Sequence, residues 1–293
     1  MGNILYLECN TGISGDMAVA ALLDLGASEE AVRSALDSLP LEGFRVEISR
    51  VKKSGLDCCD FNVVLDGNLD NHDHDMEYLY GHLHAHDGDH DHHAHVGNHG
   101  HHHHDEHHDH HHHDGDDDHH AHDGHHDHHH VHRGMKEIRE ILDRAEMTEG
   151  ARDLARRIFG IIAEAEAEAH GTTVEKVHFH EVGAVDSIVD VVAAAVCLDD
   201  LKIKETIITG IAEGSGTVRC AHGILSVPVP AVASIARAHA LPVRMTGRQG
   251  ELITPTGAAI AAAICTGNTL PDSLLFERTG LGAGKGITRL PAF

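Results

Sequence analysis

No clustered run of Lys and Arg occurs anywhere in the 293 residues, which carry 22 basic against 47 acidic side chains. A chain without a basic face has nothing with which to meet the phosphates of a nucleic acid. Long hydrophobic runs are also missing. The two longest, around residues 191–198 and 258–265, are too short to span a bilayer. The first residues lack both a basic n-region and a signal-type apolar stretch, running instead from Gly2-Asn3 straight into a strand-like Ile4–Glu8 segment. The six cysteines, at positions 9, 58, 59, 197, 220 and 265, form neither a CxxC pair nor a regular framework. They read as reduced thiols, and the expectation is a cytoplasmic protein without internal repeats.

What the chain has in excess is histidine. Of its 34 histidines, 29 lie between His72 and His132, together with 15 Asp or Glu and no Lys or Arg, so this tract supplies −15 of the formal net charge of −25. Its densest runs are His101, His102, His103, His104 and His110, His111, His112, His113. Neutral imidazole is a good ligand for nickel, copper and zinc, and carboxylates add charge attraction. The tract is therefore expected to bind divalent transition-metal ions, nickel foremost. With almost no large hydrophobes it cannot build a core, and the expectation is a disordered insertion.

Removing it leaves a first block, residues 1–71, and a second, residues 133–293, packed together. In the first, strand Ile4–Glu8 is followed by a glycine-containing loop and a helix Asp16–Leu25 closed by Gly26. A second helix starts at Ser28 and ends near Leu39-Pro40. Two alternating strands follow, Phe44–Val51 and Asp60–Leu65, joined through Lys53-Ser54-Gly55. The second block reads as helices Met135–Ala145, Thr148–Ala169 and Asp186–Leu201, the last packed on a sheet. A strand Glu205–Ala212, a helix Pro230–His239, a strand around Val243 and a helix Thr256–Cys265 complete it. Interleaved elements of this kind favour an α/β (α+β) fold with a mixed sheet.

Five segments could carry chemistry. The turn Thr11-Gly12-Ile13-Ser14-Gly15-Asp16-Met17 joins a strand to a helix and offers backbone N–H groups to an anion; the alternative is a tight turn capped by Ser14 or Asp16. In Val177–Asp190, His178 and His180 alternate along an extended stretch, and Asp186 and Asp190 share one helix face. Two imidazoles with one or two carboxylates make a metal site, or a base with its orienting partner; strand-end and capping roles are the weaker alternative, because four such residues fall within thirteen positions. Glu213-Gly214-Ser215-Gly216-Thr217, with Cys220 and His222 behind it, permits close backbone approach, which loop formation alone would explain. Thr254 is placed to cap a helix beginning at Pro255, again an N-terminus suited to an anion. Gly280–Gly286 is no nucleotide loop: the spacing requires glycine where Thr279 stands, and Ser or Thr where Gly286 stands. It reads as a turn.

In this order the motifs resemble the LarC family of nickel insertion proteins. The matching pieces are Gly12-Ile13-Ser14-Gly15-Asp16-Met17 with the helix end Ala21–Gly26, the long segment His178–Asp190, Gly214-Ser215-Gly216, His222-Gly223 with Pro228-Val229-Pro230, and Thr254–Ala259. A histidine-rich insertion after the first block is similar too. The family usually carries Asp where this chain has Glu8. The resemblance implies a lyase-type nickel chelatase that inserts Ni²⁺ into pyridinium-3,5-bisthiocarboxylic acid mononucleotide, forming Ni–S and Ni–C bonds of the nickel-pincer nucleotide cofactor of lactate racemase. It implies dependence on CTP with Mg²⁺ or Mn²⁺, bound by a C-terminal region of the family that this chain lacks and that can be encoded separately. It further implies a lactate racemase-type apoenzyme as recipient. Under that reading Gly12, Ser14, Gly15, Asp16, Thr254, Thr256 and Gly257 hold the nucleotide. His178, His180, Asp186 and Asp190 pass on nickel or serve as base. The rival expectation is a nickel store or metallochaperone without catalytic activity.

Overall fold

A helix whose middle is apolar all round has to lie inside the protein, and Val185–Asp200, with the run Val191–Leu198, is one: thirteen of its sixteen residues are buried, among them Ala193, Ala194 and Ala195. In the computed structural model, which describes residues 3–66, 133–179, 184–220 and 223–285, this helix is α5. It packs chiefly against α1 (Gly15–Asp24), α2 (Glu29–Asp37), α4 (Glu149–Ala169) and α7 (Pro255–Ile264), and to a lesser extent against strands 56–65 and 203–207. The expected seat on a sheet is thus replaced by a cage of helices. Alanine makes that possible, because its small side chain lets helix backbones approach closely. The remaining helices are α3 (Met135–Arg144) and α6 (Pro230–Ala238). No helix among the described residues is long and apolar enough to cross a membrane.

The caps follow from residue type. Ser28 accepts the Ala31 N–H at 3.1 Å, and Thr148 accepts the Ala151 N–H at 3.1 Å, each satisfying a first-turn donor that has no intrahelical partner. Helix α1 ends with Gly26 at φ +111°, where Ala27 N–H reaches back to the Leu22 carbonyl at 3.1 Å.

The strands pair two by two, in both directions. β1 (Asn3–Tyr6) runs parallel to β6 (Ile203–Ile207), and β7 (Ile211–Ser215) parallel to β10 (Val243–Gln249). A parallel bridge between Cys9 and Ile211 links the two pairs. β2 (Phe44–Lys53) and β3 (Leu56–Leu65) form a ten-residue antiparallel hairpin. Its two-residue turn, Ser54 and Gly55, has φ of 51° and 86°, the left-handed pair that matches strand twist. β4 (Arg133–Gly134) pairs with β5 (His178–Phe179), and β8 (Thr217–Cys220) with β9 (Gly223–Ser226).

Three expectations change. The single strand expected over Glu205–Ala212 is two, because the chain changes partner at Ile208–Gly210: Ile208 N–H bonds to Gly267 and Ile211 N–H to Pro242. The glycine segment Glu213–Thr217, which loop formation alone would have explained, instead holds the end of β7 and the start of β8, with Gly216 between them. The Gly280–Gly286 turn is instead extended as far as it is described. Cys59 N–H donates to Leu281 at 2.9 Å and Ala283 N–H to Cys59 at 2.8 Å, so the segment adds a parallel neighbour to β3.

Candidate functional site

Two helix starts meet where β1 runs out. Gly12 has φ +95°, and a Cβ there would lie 1.9 Å from the Leu252 carbonyl oxygen. Gly12 N–H bonds to Cys9 at 3.2 Å, Ile13 N–H to Leu252 at 2.9 Å, and Thr254 N–H to Ile13 at 3.1 Å. The turn is thereby sewn to the strand-like residues 252–254, and the next helix, α7, begins at once. Thr254 caps it through the Gly257 N–H at 3.1 Å. A Cβ on Gly257 would lie 2.3 Å from the Ile13 carbonyl and 2.9 Å from Ser14 Cα. Glycine at 12 and 257 therefore serves close approach of two backbones. Thr256, in the first turn of α7, is buried.

At the start of α1, Ser14 is the extended N-cap residue but makes no cap bond with its side chain. Its hydroxyl bonds to Asp16 Oδ1, which also accepts the Met17 N–H at 2.8 Å. Gly15 sits directly on α5: a Cβ there would be 2.4 Å from Asp190 Oδ2. Asp190 and, one turn earlier, Asp186 are each only 6% exposed. Helix α5 has Ala184 as its N-cap and so no side-chain cap. The backbone places His178 in β5, opposite Gly134. His180, His222 and the tract histidines, His101 to His104 and His110 to His113 among them, lie outside the described residues. Among the described residues no three His, Cys, Asp or Glu side chains come together as a metal site.

The electrostatics add residues absent from the sequence-derived set. Burial raises the Asp60 carboxyl above its ordinary range, the Asp16 carboxylate raises it further, and Lys285 and Lys53 oppose the shift. Lys285 is delivered by packing. Cβ atoms on Gly280, Gly282 and Gly284 would lie 2.3 Å from Ala21 O, 2.2 Å from Met17 O and 2.8 Å from Met17 Sδ. The segment therefore climbs α1 backwards and brings Lys285 to the end where Asp16 begins the helix. Three glycines at a spacing of two are one face of a strand lying against a backbone, and that pattern was the available signal. Asp60 had none, being one polar residue in an alternating strand.

Glu213, on β7, is 0% exposed. Its Oε1 accepts N–H from Gly214 at 2.7 Å, Leu252 at 2.8 Å and Ile253 at 3.3 Å. Burial raises its carboxyl from the ordinary value of 4.5, against the lowering effect of those three donors. A carboxyl whose folded value is raised binds its proton more tightly in the native state, so its contribution to stability is greatest at low pH. That contribution declines as pH climbs from about 4.5 to the raised folded value. Glu213→Gln keeps an acceptor for all three N–H groups and has no proton to lose. Its chemical-denaturation midpoint is expected to lack this decline when both proteins are titrated upward from pH 4.

The buried thiols are poor candidates for soft donors. The Cys9 thiol is pushed up to about 12, by burial first and the Glu8 charge second, and the Cys59 thiol to about 11, chiefly by burial. Only the thiolate is an effective metal ligand.

Residues 5–292 match the sequence profile of the family described as nickel insertion protein. The chain belongs to that family. It is 48% identical to the pyridinium-3,5-bisthiocarboxylic acid mononucleotide nickel insertion protein of Alkaliphilus metalliredigens, over 97% of this chain and 57% of that relative. Proteins of the same name from Clostridium acetobutylicum and Geobacillus kaustophilus are 38% and 35% identical, over 98% and 96% of this chain and 62% and 56% of theirs. This member of the nickel insertion family thus spans less than two thirds of those relatives. No solved structure matches it significantly.

Proposed function

We propose that the chain takes part in inserting Ni²⁺ into pyridinium-3,5-bisthiocarboxylic acid mononucleotide. The observation that carries this reading is the 48% identity, over 97% of the chain, to a relative named for that reaction. In the proposed division of labour the two helix starts hold the substrate phosphate. Gly12, Ser14, Gly15 and Asp16 shape one start, Thr254, Thr256 and Gly257 shape the other, and Lys285 adds the nearby positive charge. The first-turn N–H groups of a helix point along its axis and favour an anion.

The metal is substrate here. Two sulfur donors of the mononucleotide take up Ni²⁺, and a Ni–C bond forms as the pyridinium carbon loses its proton. That proton passes to one of the basic groups of the His178–Asp190 segment, which includes His180, Asp186 and Asp190; the same segment relays the ion. The reaction is of the lyase type. CTP with Mg²⁺ or Mn²⁺ belongs, in this reading, to a further region present in the longer relatives. The nickel-pincer nucleotide passes to a lactate racemase-type apoenzyme in the cytoplasm.

The test supplies the purified chain with Ni²⁺, CTP, Mg²⁺ or Mn²⁺ and the apo-mononucleotide, with and without the remaining region of a longer relative. Mass spectrometry then reads the nickelated product. Product in either arm supports the reading; none in both arms leaves nickel storage or delivery, which the 29 tract histidines favour. The tract is assigned the role of reservoir, because interchangeable imidazoles lack the fixed geometry that bond formation requires. Deleting residues 72–132 is expected to lower the insertion rate several-fold at limiting nickel and to leave it unchanged at saturating nickel. An equal loss at both concentrations would place the chemistry in the tract.

A further inference from the structure

Burying a carboxyl is costly unless its lone pairs are satisfied. Glu213 is fully buried, and among the described residues only its backbone donors meet it. All three converge on Oε1, while Oε2 has no hydrogen-bond partner among the described residues. A second buried oxygen in the same position, Thr11 Oγ1, belongs to the turn that Leu252 holds. Counted from the parallel bridge Cys9–Ile211, Thr11 in the turn and Glu213 in β7 are each two residues further along the chain.

The bonds form one chain of dependence. Glu213 Oε1 fixes the N–H groups of Leu252 and Ile253. The Leu252 carbonyl is the surface against which Gly12 packs and the acceptor for Ile13 N–H. Thr254, the next residue, both bonds to the Ile13 carbonyl and caps α7. Three consecutive residues, 252 to 254, therefore set the spacing between the start of α1 and the start of α7, and two of the three hang from a single carboxyl oxygen.

We propose that Glu213 is a positioning residue, holding the two helix starts at the separation that receives the mononucleotide's phosphate. The proposal rests on the phosphate-holding role given above to those helix starts. It assigns Glu213 no contact with substrate: the side chain acts through residues 252–254.

The test compares the full chain with Glu213→Ala and Glu213→Gln by calorimetric titration with pyridinium-3,5-bisthiocarboxylic acid mononucleotide and by amide hydrogen exchange. In the alanine variant the dissociation constant is expected to rise at least tenfold. Exchange should accelerate together in residues 10–18 and 250–258, with α4 still protected and nickel uptake by the chain unchanged. Glutamine, whose carbonyl can accept the same three bonds, should restore affinity to within about threefold and return both segments to slow exchange. A purely local structural role would loosen residues 250–254 alone and leave the dissociation constant where it was; either result in folded protein overturns the proposal. Should the alanine variant fail to fold, Glu213→Asp, which withdraws the acceptor by one methylene, must show the same paired acceleration. A wild-type chain that does not bind the mononucleotide would defeat the phosphate reading, and the exchange pattern would then decide the positioning role by itself.

Discussion

Replacing His178 and His180 together by alanine is expected to reduce nickel insertion to background while the chain continues to fold and to load its tract with nickel. Removing a group that relays a proton or an ion in the transition state typically costs on the order of 10²–10⁴ in rate. Here two candidate groups go at once, in a segment that leads directly into α5, where Asp186 and Asp190 are buried. The discriminating measurement is a three-way comparison of product formation, melting temperature and nickel content. Loss of product with the other two unchanged supports the assigned role. Wild-type product formation in the double variant would remove these imidazoles from the mechanism and shift the relay to the carboxylates.

The second large effect is steric. Gly12→Ala puts a methyl carbon where the Leu252 carbonyl oxygen now lies 1.9 Å away, at a backbone φ of +95°. An L-residue in that conformation costs about 1–2 kcal/mol, and forcing backbone apart in a packed region about 1–3 kcal/mol. Together the expected loss is roughly 2–5 kcal/mol. For a chain of this size each 1 kcal/mol moves the melting temperature by about 2–4 °C, so thermal unfolding should shift down by roughly 5–20 °C. The same variant separates the turn from residues 252–254, so affinity for the mononucleotide should fall even at temperatures where it remains folded. A melting temperature within a degree of wild type would mean that the turn is not sewn to Leu252 as described.

Much of the fold could be read from residue type because the relevant physics is local. Ser28, Thr148 and Thr254 cap helices, and the Val- and Ala-rich run after Asp190 is buried because nothing in it tolerates water. Ser54-Gly55 turns a hairpin for conformational reasons that a dipeptide carries by itself. The division of 205–212 into β6 and β7 was not legible. The run Thr206–Ile211 is mostly β-branched on both sides of the break, and distant acceptors, Gly267 and Pro242, decide where the chain changes partner. The candidate site divides in the same way. Gly12, Ser14, Gly15, Asp16, Thr254 and Gly257 announce a tight junction by their spacing. Glu213 has the look of an exposed loop residue until its three donors, two of them 39 and 40 positions away, are brought to it by folding. Asp60 becomes a neighbour of Asp16 through the packing of β3 on α1, and Lys285 through the pairing of residues 281–283 with Cys59.

The glycines at 280, 282 and 284 also settle how little the junction can yield. They bring the backbone of their segment into direct contact with α1 and, through Cys59, fasten that helix to the long hairpin. Backbone lying on backbone has no rotamers with which to absorb a displacement. Helix α1, the hairpin and this segment consequently travel as one rigid plate carrying Asp16, Asp60 and Lys285. The contacts at Gly12 and Gly257 extend the plate in the other direction, fastening residues 252–257 and the start of α7 to it by the same backbone-on-backbone seam.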